Sequence, residues 1–382
     1  MTILIGERVL DPARAPALRD HRPTWTCPVL PLAALADLAA DWCLELAGRP
    51  LCALADLRPS GWIAFPSGPR RLRATLRPLD ACAFALAVEG LDGVDPALSP
   101  WRQLATATLA TEPRADDGWK PGPLRGAEPA ADPYAAGELF HGRSLQVLRE
   151  AWIGDDGADL VLAGGPEHVG STLRLDLLDG VAQAVSAGAL KRWGVVVEAG
   201  QVAFPVRLAR LDVRGARPPS GLARAELRFQ GFDAGDRRHP RVRARLLAGE
   251  AAFLELELVF RLLPLGPLAA LSAAERRDFF RDRRAVPGAG LSRAAGPQTR
   301  LDPRDLIRCD WLPGTIAAVY GLAPGPVDPR AVVARDHVAR RSGLHPSAVL
   351  LSPDGSAAST SAGEWRLLVR REGREWVAED AD

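Results

Sequence analysis

The sequence predicts an α+β fold laid down twice in one chain. Three observations carry this reading. An Ala/Leu-rich helical segment leads into a series of short strand-like runs, a polar stretch follows, and the helix-then-strands order returns after it. A helix wrapped by a curved antiparallel sheet lets each bury its apolar face on the other. At 382 residues the chain is long enough for two or three domains and a substantial core.

In the first unit, residues 31–46 read as a helix. Leu32, Leu35, Leu38, Trp42 and Leu46 recur at three- and four-residue steps, and Gly48 with Pro50 closes the run. Strand-like runs follow at 62–65, 71–76, 82–88 and 104–109, each bounded by Gly, Pro or Asp. Residues 112–137 are polar and rich in Pro, Gly, Ala and Asp, the composition of a linker. In the second unit, residues 175–193 read as one helix with Leu178, Val181, Ala182, Val185 and Leu190 on one face. Strands are expected at 202–213, 223–229, 242–247 and 252–262, and the alternation over 254–258 predicts one buried face. Farther on, 272–284 is expected to be helical and 288–298 flexible. A third segment carries a helix at 329–343 and strands at 365–369 and 375–377, turned at Gly373. The expected divisions are therefore 1–111, a linker at 112–137, 138–270, a connector at 271–300 and a small α+β segment at 301–382.

Composition narrows the function classes. Hydrophobic residues make up 47% and charged residues 25%, ordinary for a globular protein. With a net charge of +1 there is no global field to recruit nucleic acid or an anionic membrane. Nearly all basic residues are Arg, which reads as coding bias rather than function. Cys27, Cys43, Cys52, Cys82 and Cys309 form no CxxC pair and no zinc-ligand spacing with His, so they are expected to be small buried residues of a reducing compartment. The first residues lack the basic start and apolar run of a signal peptide, and no apolar run reaches membrane-spanning length. The cytoplasm is the expected location, as monomer or homodimer.

Two short stretches carry the chemistry. His21 lies in Asp20-His21-Arg22-Pro23, ahead of the first helix. Asp179 and Gln183 stand four residues apart, on one face of the second. A base and an acid on equivalent elements of two similar halves place a site at their seam. A third stretch, Phe140-His141-Gly142-Arg143-Ser144-Leu145-Gln146, opens the second unit. Its glycine either offers a backbone N–H to a substrate carbonyl or is a plain turn. His168, His239, His337 and His345 lie in loop-like or charged surroundings and read as solvated. No Gly-rich phosphate loop or metalloprotease motif is present.

These stretches, in this order, resemble the dehydratase domains of polyketide synthases and polyunsaturated fatty acid synthases. The likeness runs over roughly residues 10–265. It implies a double hotdog fold and removal of water from a 3-hydroxyacyl thioester held on an acyl carrier protein, in company with other synthase domains. His21 becomes the catalytic base and Asp179 the catalytic acid. Gln183 holds the acid, Gly142 polarises the thioester, and His141, Gln146, Trp25 and Pro31 orient substrate. No metal or redox cofactor is implied. The thioester acidifies the α-proton for a neutral imidazole, and burial between apolar walls would keep the carboxyl protonated. The chain departs from the family pattern in places. Trp25 stands where the family has Gly, Pro31 comes one residue late, and Leu139, Arg143 and Leu145 replace Tyr, Pro and Phe. These departures keep two other readings open: a cyclase or double-bond isomerase on the same fold, and an inactive carrier-protein-binding scaffold. Residues 333–343 faintly resemble phosphopantetheinyl transferases, with Arg335 and Asp336 at the positions of a Lys and a metal-binding Glu. Here a remnant or docking element is expected.

Overall fold

In the computed structural model the described residues are 2–23, 28–65, 69–91, 100–135, 138–168, 171–198, 201–216, 218, 221–264, 311–312, 325–326, 328–342, 349–352, 355–361, 363–372 and 375–381. They divide into two compact units, one made of residues 1–22, 28–133 and 141–264, the other of 23–27, 134–140 and 265–382.

The larger unit is one antiparallel sheet with four helical segments packed on it. Its strands are β1 (Leu4–Leu10), β2 (Ala53–Pro59), β3 (Arg70–Pro78), β4 (Ala83–Gly90), β5 (Arg102–Ala110), β6 (Glu128–Pro129), β7 (Leu148–Ile153), β8 (Gly157–Ala163), β9 (Gln201–Val213), β10 (Leu222–Phe232), β11 (Pro240–Ala248) and β12 (Ala251–Pro264). Their spatial order is β1-β3-β4-β5-β2-β9-β12-β11-β10-β8-β7-β6. The duplication is visible in that order. β8, β10, β11, β12 and β9 hold the places in the second half that β1, β3, β4, β5 and β2 hold in the first. The halves meet where β2 pairs with β9, Leu54 opposite Leu211 and Leu57 opposite Leu208. The two expected units are therefore halves of one body sharing a continuous sheet, each a hotdog.

The helical segments are α1 (Pro16–Asp20), α2 (Leu32–Ala47), α3 (Leu175–Gln183) and α4 (Ala187–Arg192). The helix expected at 31–46 is α2, and Gly48 closes it in the left-handed conformation with its N–H on the Leu44 carbonyl. Every residue from Ala34 to Ala40 is buried, Asp37 included, because the sheet wraps the helix rather than flanking it. The helix expected at 175–193 breaks in two. Ser186 turns extended and its hydroxyl accepts the Ala189 N–H, starting α4 anew.

Strand expectations fare unevenly. The runs at 71–76, 82–88, 104–109, 202–213, 223–229, 242–247 and 252–262 are strands, whereas 62–65 contributes only a bridge between Val29 and Ala64. Five strands of this unit went unread, the two-residue β6 inside the polar stretch among them. In β1 the apolar Ile5 and Val9 are exposed, so the pattern does not alternate as burial does. β2 is interrupted by a bulge and by Asp56 at φ 58°. β7 and β8 give no clean period-two signal.

The polar stretch read as a linker is a strap. Its residues lie against β9, β10 and β11 through the planar guanidinium groups of those strands. Asp117 accepts from Arg210 at 2.6 Å and Arg243 at 2.7 Å, Arg214 donates to the Arg114 carbonyl at 2.9 Å, and Arg228 donates to the Gly122 carbonyl at 2.7 Å. Arg243 also stands 4.4 Å from the centre of the Trp119 ring. Glu255, on the strand expected to show one wet face, is buried and paired with Arg214 at 3.3 Å.

In the second unit, α5 (Pro329–Ser342) packs on an antiparallel sheet of β15 (Leu350–Leu351), β16 (Ala357–Thr360), β17 (Gly363–Glu372) and β18 (Glu375–Asp380). A short pair, β13 (Trp311–Leu312) and β14 (Gly325–Pro326), precedes them. Ala334, Val338, Val349, Ala358 and Leu367 form its core. The expected helix and late strands are present. Arg335 and Asp336 are buried, and Arg335 donates to the Val349 carbonyl, so the positions likened to a coenzyme-binding Lys and a metal-binding Glu face the unit's interior. The stretches 272–284 and 288–298, Gly373 and His345 lie outside the described residues.

One buried ion pair sets the start of α3. Arg174, at φ 57°, is 1% exposed and forks onto Asp176 with bonds of 3.1 and 2.9 Å. Replacing Arg174 with Ala leaves a buried carboxylate without its cation, and we expect a loss of about 3–5 kcal/mol in urea unfolding. A loss no larger than that of a surface Arg→Ala control would refute it.

Candidate active site

Three segments of the larger unit meet at the site: the turn after α1, the 3₁₀ turn Arg143–Leu145 with the residues before it, and α3. The first two are stitched by Asp20. Its buried carboxylate accepts the Ser144 N–H at 2.9 Å, and its carbonyl accepts the Gly142 N–H at 2.8 Å. Burial alone would raise the Asp20 pKa, but the Ser144 bond and Arg19 together hold it below its ordinary value. His21 and His141 are thereby fixed side by side, ring centres 5.5 Å apart and planes inclined at 58°.

His21 is oriented by its Nδ1, 2.8 Å from the Val29 carbonyl. A carbonyl oxygen only accepts, so Nδ1 carries the hydrogen and Nε2 is the basic nitrogen. Burial drives its pKa down to about 4, and His141 adds to that, while Asp179 and the Val29 bond act upward. The imidazole is neutral at physiological pH.

Asp179 points from α3 toward the same place. Its Oδ2 lies 3.1 Å from His141 Nε2 and 2.8 Å from Gln183 Nε2, and Gln183 also donates to the Leu145 carbonyl at 2.8 Å. Gln183 thus holds the carboxyl as expected, one helical turn away. The protonation state expected of Asp179 is corrected. Burial pushes its pKa up, but His141, His21 and Gln183 together hold it below the ordinary carboxylate value. One ring nitrogen of His21, one of His141 and one carboxyl oxygen of Asp179 lie within 4.8 Å of one another. Beside Asp179 runs an apolar cleft lined by Leu32, Leu178, Ala182, Pro205, Leu208 and Leu258, drawn from both halves.

The tight fit of α3 explains Gly180. A Cβ there would stand 2.6 Å from Cγ2 of Val147, itself buried, so only glycine lets the helix approach the residue before β7 this closely.

Other expectations are corrected. The Gly142 N–H bonds the Asp20 carbonyl, so it serves the stitch rather than an oxyanion. Gln146 donates to the His141 carbonyl at 3.0 Å and secures that turn instead of reaching into the cleft. Pro31 precedes α2 as its N-cap residue. Trp25 lies outside the described residues. His168, read as solvated, is 5% exposed, with Nε2 3.2 Å from the Ser144 carbonyl. His239 and His337 pair with Asp236 and Asp380 at 3.1 and 2.9 Å. Sequence reasoning assigned no role to Asp20, nor to Asp37 and Asp41 of α2. The latter two accept from the Leu173 N–H at 2.6 Å and the Thr172 hydroxyl at 2.7 Å and so fasten the approach to α3. Adjacency to His21 was the one available signal for Asp20.

The larger unit has the fold of polyketide synthase dehydratase domains, a double hotdog. The chain is similar to the bifunctional dehydratase-cyclase domain in ambruticin biosynthesis, at TM-score 0.54 and 21% identity over 71% of this chain and 94% of that one. It is similar also to the erythromycin dehydratase, at TM-score 0.51 and 21% identity over 67% and 90%. A third likeness is to an inactive His-to-Phe mutant of the CurJ dehydratase, at TM-score 0.55 and 15% identity over 69% and 92%. No protein-family model and no curated protein matches.

Two outcomes follow from the site's electrostatics. Asp20→Ala strands the buried Ser144 N–H and is expected to cost about 1–3 kcal/mol in thermal unfolding, most of it recovered by Asp20→Asn, which keeps an acceptor. The second concerns pH. His21 ordinarily titrates at 6.5 and here at about 4. Between those values the unfolded chain binds a proton that the folded one refuses, so stability falls as pH is lowered through that window. Urea midpoints measured across it should flatten in His21→Phe; an equal slope in the variant would contradict the assignment.

Proposed function

We propose that the chain is a dehydratase that removes water from 3-hydroxyacyl thioesters carried on an acyl carrier protein. The observation that carries this is a ring nitrogen of His21, from one half, within 4.8 Å of a carboxyl oxygen of Asp179, from the other, beside an apolar cleft. The fold shared with polyketide synthase dehydratase domains supports it, and the carrier protein and other synthase domains are its proposed partners. The acyl chain enters beside Asp179, against the apolar side chains of the cleft. His21 Nε2 takes the α-proton, and its tautomer is set by Val29. The 3-hydroxyl faces Asp179, where Gln183 and His141 gather, and leaves as water once protonated. The electrons of the C–H bond become the alkene. The reaction as drawn calls on no metal or redox group.

A second reading has one supporting observation, the likeness to a domain described as both dehydratase and cyclase. A cyclisation following dehydration would use the same base on a substrate hydroxyl.

Mass analysis of a short 3-hydroxyacyl carrier protein tests the dehydration, and a substrate with a second hydroxyl, whose enoyl and cyclised products have equal mass and are separated by chromatography, tests the cyclisation. Wild type should lose one water. His21→Ala and Asp179→Ala should each slow that loss by about 100-fold or more. No water loss from folded wild type would end the dehydratase reading, and an isomer of unchanged mass would turn it toward a cyclase or isomerase.

A further inference from the structure

The geometry points to His141 as a third member of the catalytic machinery: a proton relay that shares the acid proton with Asp179 and returns to it the proton collected by His21. This rests on the dehydratase reading above and deepens it.

The argument starts from proton balance. Each elimination moves one proton onto His21 and takes one from the acid side, so the next turnover requires the proton to cross between them. His21 is a poor place to leave it, because burial makes its imidazolium strongly acidic. Asp179 alone is a poor store, because its donors favour the ionised carboxylate. His141 stands between these two needs. Its Nε2 is 3.1 Å from Asp179 Oδ2, within a single hydrogen bond. Its ring centre is 5.5 Å from that of His21, and one nitrogen of each ring and one Asp179 oxygen lie within 4.8 Å of one another, a gap that one water spans with two bonds of about 2.8 Å. The ring is held for the purpose. Gln146 fixes its backbone carbonyl, and the Asp20 stitch fixes the residue after it.

The steps balance. In the resting site His21 is neutral, and His141 and Asp179 together carry one proton more than a neutral imidazole with a carboxylate. His21 Nε2 takes the α-hydrogen as a proton, the C–H electron pair forms the alkene, and the C–O bond breaks toward oxygen. That oxygen takes the extra proton of the His141–Asp179 pair and departs as water. The proton on His21 then passes to His141 and restores the pair. Among the described residues, the titratable groups with a recorded contact to the His141 side chain are His21 and Asp179; Asp20 has its carboxylate on the Ser144 N–H, His168 lies on the Ser144 carbonyl, and Arg143 is near in sequence. Of these, only His21 and Asp179 are placed to exchange a proton with the ring.

His141→Gln is the test, because an amide can donate to Asp179 but cannot carry the proton. The full chain is assayed with 3-hydroxybutyryl pantetheine thioester across pH, with circular dichroism as the check on folding. The expected result is a kcat lower by about 100-fold at neutral pH with KM little changed, and an alkaline limb displaced from its wild-type position, because Asp179 must then hold the proton without its imidazole partner. A kcat like that of wild type, or an alkaline limb at the wild-type position, overturns the relay and leaves His141 as a positioning residue. His141→Tyr, with a hydroxyl donor that stays protonated at neutral pH, repeats the test if the Gln variant does not fold. Inert wild type would instead remove the dehydratase reading, and the relay with it.

Discussion

The bond from the Ser144 N–H to the Asp20 carboxylate carries more of this structure than its size suggests. Asp20 ends a short helix near the start of the chain, and Ser144 belongs to the first turn of the second half. Between them run a whole hotdog and the strap. With the Gly142 bond to its carbonyl, Asp20 puts His21 and His141 on neighbouring segments and leaves one ring facing Asp179. A buried carboxylate that accepts a backbone N–H is costly to break, because the donor has no water to turn to. The arrangement of the three side chains is therefore fixed by backbone geometry more than by the reach of flexible side chains.

The second constraint is the pair of helices inside the sheet. α2 is small and apolar at nearly every position, so it is enclosed rather than half wetted. Its two aspartates are spent on the residues before α3, and Gly180 lets α3 press on Val147. The Asp179 carboxylate and the cleft beside it follow from where that helix is driven. The electrostatics follow in turn: low solvation sets His21 neutral, and the donors gathered on Asp179 outweigh the same low solvation there.

Much of this was legible from residues alone. The spacing of Leu35, Leu38 and Trp42 marks α2, and the alternation over 254–258 marks β12, because both patterns are local and periodic. The order of His21, His141 and Asp179 with Gln183 locates the site. What local pattern could not show was partnership across the fold. Gly142 looks like a free backbone donor until Asp20 is brought to it. His168 looks like a loop residue until the Ser144 carbonyl is above it. Asp179 reads as a carboxyl between apolar walls, although its nearest neighbours are an imidazole and an amide. β1 and β2 escaped for a similar reason: an edge with exposed Ile5 and a bulge at Asp56 break the alternation on which reading a strand depends.

The strap makes the arginine content intelligible. A composition that resembles coding bias supplies guanidinium forks on β9, β10 and β11, and these take up Asp117 and the carbonyls of Arg114 and Gly122. A chain joining two halves of a sheet could have hung clear of it. Here it lies flat, and Glu255 beneath it is as dry as a core residue. The guanidinium groups of the second half's central strands are thus matched by acceptors from the chain's own strap, so charges that elsewhere would stay in water are neutralised within the fold.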